Sequence, residues 1–155
     1  MATARVNCFI PAPTQEVFEL ITDHGHYDRL DSVALSNLLK EGRSNRNGLG
    51  AIRELKVASV RFIETISVYD APSLFEYKVQ QCYLCLGRHG KEIRFPLVHK
   101  KGQITLEESD GGTNVYWLSQ FTVALPFGGT IAKLMRPFVE RSFGKILQDC
   151  KMVLS

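Results

Sequence analysis

Residues 53–64 read RELKVASVRFIE and have the pattern of a tight β-hairpin. A two-residue turn at Ala58-Ser59 aligns three cross-strand pairs: Val57 with Val60, Leu55 with Phe62, and Arg53 with Glu64. Four of these six side chains are strongly apolar, as expected for a buried face, and the other two carry opposite charges. The hairpin therefore predicts an ion pair between Arg53 and Glu64 on the inner surface of an antiparallel sheet.

Two more predicted turns extend this inner surface. A loop at Asp70 to Ser73 places Phe75, Tyr77 and Val79 opposite Val68, Ile66 and Glu64, and a turn at Asp110-Gly111 aligns Leu106 with Val115, Ile104 with Trp117, and Gly102 with Ser119. The apolar members of the predicted face are Val57, Leu55, Phe62, Ile66, Phe75, Tyr77, Val79, Ile104, Leu106, Val115 and Trp117. Its polar groups are Arg53, Glu64, Ser119 and the hydroxyl of Tyr77.

Helical patterns flank the predicted strands. The chain begins with a strand over Ala4 to Ile10, and Pro13 then opens a helix with Val17, Phe18 and Ile21 on its apolar stripe. A second short helix is predicted around His24 to Leu30, followed by a strand over Ala34 to Glu41. After Gly128-Gly129 a long amphipathic helix follows, with Met135 and Phe138 on its broad apolar face. Pro137 is expected to kink or break this helix near Lys133 to Arg136, and the stretch Leu86 to Pro96 reads as irregular.

Composition predicts one ordinary globular domain over residues 1–155. The chain has 155 residues, 45% of them hydrophobic, and a formal net charge of +3. That charge is too small and too evenly spread to predict nucleic-acid binding, and no apolar stretch approaches the roughly 20 residues of a membrane helix. The first seven residues lack the apolar core of a signal peptide, so a cytoplasmic protein without stable membrane insertion is expected, as a monomer or a homodimer.

Neither a metal site nor a cofactor is predicted. Cys8, Cys82, Cys85 and Cys150 are scattered, and the one C-x2-C pair lies in a predicted strand without a second pair at zinc spacing, which favours buried thiols. The segment Asp23 to Asp28 groups His and Asp residues, but Gly25 indicates a turn, where such side chains are solvated or act as caps. No Ser-His-Asp arrangement, phosphate loop or nucleotide-binding motif occurs.

An ion pair on an apolar face requires an explanation, because the free energy needed to remove two charges from water can exceed the Coulomb attraction between them. One explanation is structural: the Arg53–Glu64 bridge fixes the register of the strands. The other is functional: a few polar groups inside an apolar cavity orient a small molecule. The two explanations are compatible and both remain open.

The order of elements resembles the helix-grip fold of the START-like superfamily, in particular the polyketide cyclase/dehydrase-type proteins, also called SRPBCC. This fold is an α+β arrangement in which a curved antiparallel sheet of about seven strands wraps around a long C-terminal helix, with two short helices after the first strand. The segments that carry the resemblance are Pro13-Thr14-Gln15-Glu16-Val17-Phe18 with Asp23-His24, Gly42, Gly48-Leu49-Gly50-Ala51-Ile52-Arg53-Glu54-Leu55, Phe62-Ile63-Glu64-Thr65-Ile66 with Pro72, Phe75-Glu76-Tyr77, and Gly112-Thr113-Asn114-Val115-Tyr116-Trp117.

The resemblance implies an apolar cavity between the sheet and the C-terminal helix that holds a lipid, a polyketide or a related hydrophobic molecule. The predicted lining comprises Arg53, Leu55, Phe62, Glu64, Ile66, Phe75, Tyr77, Ile104, Trp117, Ser119, Met135 and Phe138. The stretch Leu86 to Pro96 and the kink at Pro137 are expected near its rim. Fold alone does not decide function, so three hypotheses follow.

The first hypothesis is a binding protein for a hydrophobic small molecule. The second is a cyclase or dehydratase in which Arg53 and Tyr77 polarise a carbonyl and Glu64 serves as acid or base. The facing Arg53 makes Glu64 a poor base, because a neighbouring positive charge stabilises the carboxylate, so binding is favoured. The third is an interaction or chaperone-like module that uses Leu125-Pro126-Phe127 or Phe95-Pro96-Leu97 as its contact surface.

Overall fold

The computed structural model describes residues 1–87 and 90–155 as one antiparallel sheet with a long C-terminal helix. The elements, in chain order, are β1 (Ala2–Ile10), α1 (Thr14–Thr22), a single 3₁₀ turn (Tyr27–Arg29), β2 (Val33–Lys40), β3 (Ile52–Val57), β4 (Val60–Asp70), β5 (Leu74–Leu86), β6 (Lys91–Arg94), β7 (Leu97–Ser109), β8 (Gly112–Val123) and α2 (Gly128–Val153). The main strand order is β1-β8-β7-β5-β4-β3-β2, and the short β6 pairs with β5 beside this path. The predicted helix-grip architecture is confirmed.

The register of the predicted hairpins is largely confirmed. β3 and β4 pair Arg53 with Glu64, Leu55 with Phe62, and Val57 with Val60. β7 and β8 pair Ile104 with Trp117 and Gly102 with Ser119, also as predicted. Side chains directly opposite each other point to the same face, so these pairs establish one continuous inner face.

One predicted alignment is wrong. Ile66 lies opposite Tyr77, but Val68 lies opposite Glu76 rather than Phe75, because a register shift occurs between Ile66 and Val68. The extra residue is Ser67, which bulges from β4 and is exposed. The bulge shortens the loop after β4 and leaves Tyr69 opposite Phe75.

Three other expectations need correction. The predicted irregular stretch from Leu86 to Pro96 contains a strand, β6, that pairs with the end of β5; Arg88 and His89 in this stretch lie outside the described residues. The predicted second short helix is one 3₁₀ turn. The predicted kink or break at Pro137 is absent, and α2 continues through this exposed residue. Pro137 removes one backbone hydrogen bond, but the buried face of the helix on either side still packs against the sheet and keeps the helix in place.

Helix α2 crosses the inner side of β1 and β8. Its C-terminal half packs through Phe143, Ile146, Leu147 and Cys150 into a main hydrophobic cluster with α1 and the sheet. Its N-terminal half packs through Ile131, Ala132, Met135 and Val139 into a second, separate cluster with the far ends of β1, β7 and β8. On the side of β1, Glu140 accepts a hydrogen bond of 3.1 Å from the backbone N–H of Arg5.

Candidate functional site

The predicted ion pair of Arg53 and Glu64 is present and buried. Arg53 Nε donates to Glu64 Oε2 at 2.6 Å, and the two side chains are 1% and 6% exposed. The guanidinium also lies 5.2 to 5.6 Å from the ring centres of Tyr27, Phe75 and Tyr77. The Arg53 charge is therefore enclosed by one carboxylate and three aromatic rings.

His24 completes the surroundings of Arg53. Arg53 Nη1 lies 3.3 Å from His24 Nδ1, and since arginine only donates, Nδ1 is the unprotonated nitrogen. The other nitrogen, Nε2, then carries the proton and donates it to the carbonyl of Asn47 at 2.9 Å. Burial, with a smaller contribution from the Arg53 charge, lowers the pKa of His24 to about 3. The imidazole is therefore neutral at physiological pH.

The sequence interpretation of this histidine is wrong. The turn pattern predicts a solvated or capping side chain, yet His24 is fully buried, and its carbonyl accepts a short hydrogen bond from the hydroxyl of Ser36. The sequence also gives no indication of Tyr27, in the same segment: its side chain is 1% exposed and its hydroxyl has no hydrogen-bond partner among the described residues. Periodicity carries no signal for either residue, because a turn segment has no regular inner face. The burial of these two side chains follows from the position of the segment beneath the sheet.

Tyr77 and Trp117 lie together on the inner face, as predicted. Trp117 Nε1 donates to the hydroxyl of Tyr77 at 2.8 Å, and the Trp117 ring stacks on Phe143 of α2 with centres 4.0 Å apart. Burial, followed by the charge of Glu64, raises the pKa of Tyr77 well above its usual value. The phenol is therefore a neutral hydrogen-bonding group and not a base.

A second buried histidine, which the sequence interpretation did not include, lies beside Ser119. The backbone N–H of Val79 donates to His99 Nδ1 at 2.9 Å, so Nε2 carries the proton and donates to Ser119 Oγ at 3.0 Å. Burial, with a smaller contribution from Lys78, lowers the pKa of His99 to about 4. The imidazole also stacks on the ring of Tyr77, with centres 5.6 Å apart.

The structure divides the predicted site residues into two groups. The fully buried members are Arg53, Leu55, Glu64, Ile66, Phe75, Tyr77, Ile104, Trp117 and Ser119. Phe62 and Met135 are half-buried, and Phe138 is 73% exposed. The sequence thus located one inner face, but it did not separate the part that is packed from the part that is accessible.

The ion pair is covered by neighbouring side chains. Arg53 and Glu64 are covered by His24, Tyr27 and the neighbouring rings, which leaves them no open side. Two surface depressions, of about 410 and 270 Å³, lie elsewhere: at residues 11–14 beside the β7–β8 turn, and on the β1–β8 pair. Among the predicted site residues only Trp117 lines either depression. Glu64, Arg53 and Tyr77 are buried, and a catalytic role for them stays a prediction.

An accessible apolar wall lies further along the same inner face. Val60 pairs with Leu84 and Phe62 with Cys82, so all four share the face of Glu64, and Ile93 of β6 lies opposite Leu84. Val60, Phe62 and Leu84 are incompletely buried, Ile93 is 47% exposed, and these four residues belong to neither hydrophobic cluster. The wall ends where Phe95 and Leu97 contact the cluster of Ile131 and Met135. We call this incompletely buried inner surface, which continues toward the residues that pack on the N-terminal half of α2, the distal groove.

Side chains of the types that bind metals are dispersed in the described part of the chain. In residues 1–87 and 90–155, no three His, Cys, Asp or Glu side chains lie together in a way that would hold a metal ion, and all four cysteines are free thiols. Burial raises the pKa of Cys82 and of Cys150 to about 12, which leaves both thiols protonated. None of the described helices is long and apolar enough to cross a membrane.

Comparison with known proteins agrees with this fold. A START superfamily protein of Mycobacterium smegmatis superposes with a TM-score of 0.72 at 12% identity, covering 99% of each chain. A protein of Thermus thermophilus has a TM-score of 0.68 at 19% identity, covering 97% of this chain and 95% of its own. Ara h 8.0201 has a TM-score of 0.65 at 13% identity, covering 99% of this chain and 97% of its own. At these identities the similarity establishes the fold alone.

Among curated proteins, none matches the sequence. A family model described as polyketide cyclase / dehydrase and lipid transport matches residues 1–155, the whole length of the sequence. By this match the chain belongs to the polyketide cyclase/dehydrase and lipid transport family.

Proposed function

We propose that this protein binds a hydrophobic small molecule in the distal groove. The observation that carries the proposal is the apolar wall of Val60, Phe62 and Leu84, which faces inward and is incompletely buried. Removing apolar surface from water is favourable by about 25 cal/mol for each Å². A bound apolar ligand would therefore be stabilised by covering the apolar surface of the wall that the folded chain leaves accessible. Membership of a family described by polyketide chemistry and lipid transport supports this class of ligand.

The separation of the two hydrophobic clusters supports the same location. On β8 the inner-face residues run from Trp117 in the main cluster, through Ser119, to Phe121 in the second cluster. Helix α2 makes the same division between Phe143 and Val139. A ligand between the clusters would contact both, so the proposed binding position lies at this division and opens toward the wall.

A polar group for orienting the ligand is present at the division. Ser119 Oγ accepts the proton of His99 Nε2, and the structure gives its own hydroxyl proton no acceptor among the described residues. Because a buried donor without an acceptor is costly, a ligand carbonyl or hydroxyl oxygen would stabilise this position. The preferred ligand is therefore an apolar molecule with one acceptor oxygen near its end.

The proposal is tested by ligand capture and by a matched pair of variants. Native mass spectrometry of purified protein should reveal a co-purifying hydrophobic molecule, and long-chain fatty acids and aromatic polyketides should raise the melting temperature. Phe62→Gln should weaken binding by about tenfold, because it places a polar group on the apolar wall. Ile63→Gln, one residue away on the outer face, is the control and should bind as the unmodified protein does.

Two results would overturn the proposal. One is the repeated absence of a co-purifying molecule together with no melting shift across the panel. The other is equal loss of binding in the Phe62 and Ile63 variants, since this would place the ligand outside the distal groove.

A further inference from the structure

The loop before α2 and the first turns of α2 carry large apolar side chains that do not contribute to the core. Phe127 is 85% exposed, Leu134 is 70% exposed, and Leu125 in the preceding loop is 50% exposed. Monomeric proteins expose single apolar residues commonly, but several exposed apolar residues close together in one segment are typical of an interaction site. We call Leu125, Phe127 and Leu134, with the neighbouring basic residues of α2, the helix-entry patch.

Phe127 is unfavourable for folding in two separate ways. Its backbone has φ 61° and ψ 23°, a left-handed conformation that glycine and asparagine adopt readily and that a bulky residue rarely does. Its ring is also almost wholly in water, so hydrophobic burial does not compensate for the backbone strain. Because neither local conformation nor packing favours phenylalanine at this position, the ring is better explained by contact with something outside the folded chain.

The charge around the patch identifies the kind of partner. Residues 128–145 contain four basic side chains, Lys133, Arg136, Arg141 and Lys145, and one acidic side chain, Glu140. This segment therefore holds a net charge of +3, equal to the formal net charge of the whole chain. All four basic residues are exposed, and among the described residues none of them forms a salt bridge.

Helix geometry places Leu134 and two of the basic residues on one outer face of α2. Positions 134, 141 and 145 follow steps of seven and four, which recur on the same side of an α-helix, and Phe127 lies immediately before the helix begins. Phe143 and Leu147, by contrast, point to the sheet, and Glu140 points to the edge of β1. The outer face of α2 thus carries Leu134 near its start, and Arg141 and Lys145 about two and three turns later.

We propose that the helix-entry patch docks this protein onto the surface of an anionic phospholipid bilayer. Aromatic and aliphatic side chains that enter the interface, next to lysine and arginine that contact lipid phosphates, are the features by which a helix lies on a membrane without crossing it. The excess of unpaired positive charge selects anionic lipids over neutral ones. The apolar part of the patch lies at the end of α2 nearer the distal groove, but docking does not depend on a bound ligand.

A second copy of this chain fits the patch less well. In a two-fold dimer the same surface meets itself, so the outer-face Arg141 and Lys145 would meet the same two positive charges of the second copy. An acidic surface has the complementary charge, and a bilayer of acidic lipids also accepts exposed apolar side chains of arbitrary shape.

The test is flotation of the purified protein with lipid vesicles. Vesicles of equal parts phosphatidylcholine and phosphatidylserine should carry the protein upward at low salt, whereas vesicles of phosphatidylcholine alone should not. Raising the salt concentration should release the protein, because screening weakens contacts between exposed charges. The double variants Phe127→Asn/Leu134→Ser and Arg141→Glu/Lys145→Glu should each bind at least about tenfold more weakly.

Matched controls use exposed residues on the sheet. Leu39→Ser removes an apolar side chain that is 53% exposed, and Lys40→Glu/Lys100→Glu reverses two exposed charges. Both should bind vesicles normally. The proposal is overturned if the protein does not distinguish anionic from neutral vesicles, or if the controls lose binding as strongly as the patch variants. It is also overturned if light scattering shows a dimer and Phe127→Asn/Leu134→Ser converts that dimer to a monomer. Ligand capture in the distal groove is measured separately, so failure of one proposal does not imply failure of the other.

Discussion

Replacing Glu64 by glutamine removes one charge from the buried pair and leaves the shape of the side chain nearly unchanged. At 2.6 Å, the attraction between Arg53 Nε and Glu64 Oε2 is worth about 6 kcal/mol for an effective dielectric constant of about 20. The variant keeps the contacts of Arg53 with its three aromatic rings but leaves the guanidinium, 1% exposed, without a counter-charge. Breaking one side of a buried pair costs about 3–5 kcal/mol, and we expect Glu64→Gln to lose stability in this range.

Urea unfolding followed by circular dichroism and by Trp117 fluorescence measures this loss. The matched control is Glu54→Gln in the same hairpin, where Arg61 Nη1 donates to Glu54 Oε2 at 2.9 Å on the outer face with side chains 20% and 19% exposed. A partly exposed pair of this kind contributes about 0–1 kcal/mol, so the control should unfold almost as the unmodified protein does. The double variant Arg53→Met/Glu64→Leu, which removes both charges, should recover most of the stability lost by Glu64→Gln.

The reasoning is refuted if Glu64→Gln loses less than about 1 kcal/mol, or if it loses no more than Glu54→Gln. Either result would mean that water or a rearranged partner satisfies Arg53 in the folded chain. Normal stability together with a specific loss of ligand turnover would instead return Glu64 to a catalytic role.

Three further variants test packing and pH dependence. Gly102→Ala should lower stability by about 1–3 kcal/mol in thermal unfolding, because a Cβ there would lie 2.1 Å from Cζ of Tyr77. Gly144→Ala in α2, where a Cβ meets nothing within 4 Å, should raise it by about 0.5–1 kcal/mol; equal effects of the two substitutions would contradict the packing described. The low pKa values of His24 and His99, about 3 and 4 against 6.5 in the unfolded chain, mean that the unfolded state binds more protons in mild acid. The contribution of each histidine to the free energy of unfolding should therefore be complete above pH 6.5 and should decrease by about 1.4 kcal/mol per pH unit on acidification. In urea titrations between pH 6 and 4, His99→Gln should lose free energy of unfolding less steeply than the unmodified protein does.

Local sequence pattern was sufficient for the sheet and for the ion pair. The turn at Ala58-Ser59 fixes the register of β3 and β4, and the period of two in a strand then determines that Arg53 and Glu64 share the inner face. The pairing register predicted by counting residues is wrong beyond Ile66, because nothing in the sequence of β4 indicates that Ser67 is an extra, bulged residue. A bulge depends on contacts with the neighbouring strand, which local pattern does not contain.

The site could be predicted only in part for a related reason. Alternation identifies which side chains point inward, but whether they are covered depends on segments distant in sequence. His24 and Tyr27 cover Arg53 from a turn that precedes the hairpin by more than twenty residues, whereas no described segment fully covers Phe62. The difference between a packed core and an accessible groove therefore lies in tertiary structure and not in the strands themselves.

The contact between Glu140 and Arg5 affects how the sheet meets other proteins. β1 is an edge strand, and an edge strand with free N–H and C=O groups is a template on which a strand from another molecule adds. A carboxylate carried by α2 occupies one of these N–H groups from the side, so a strand approaching β1 would meet both a negative charge and a donor already engaged. We therefore expect this contact to hinder edge-to-edge association, and Glu140→Ala to raise the tendency of the folded protein to self-associate.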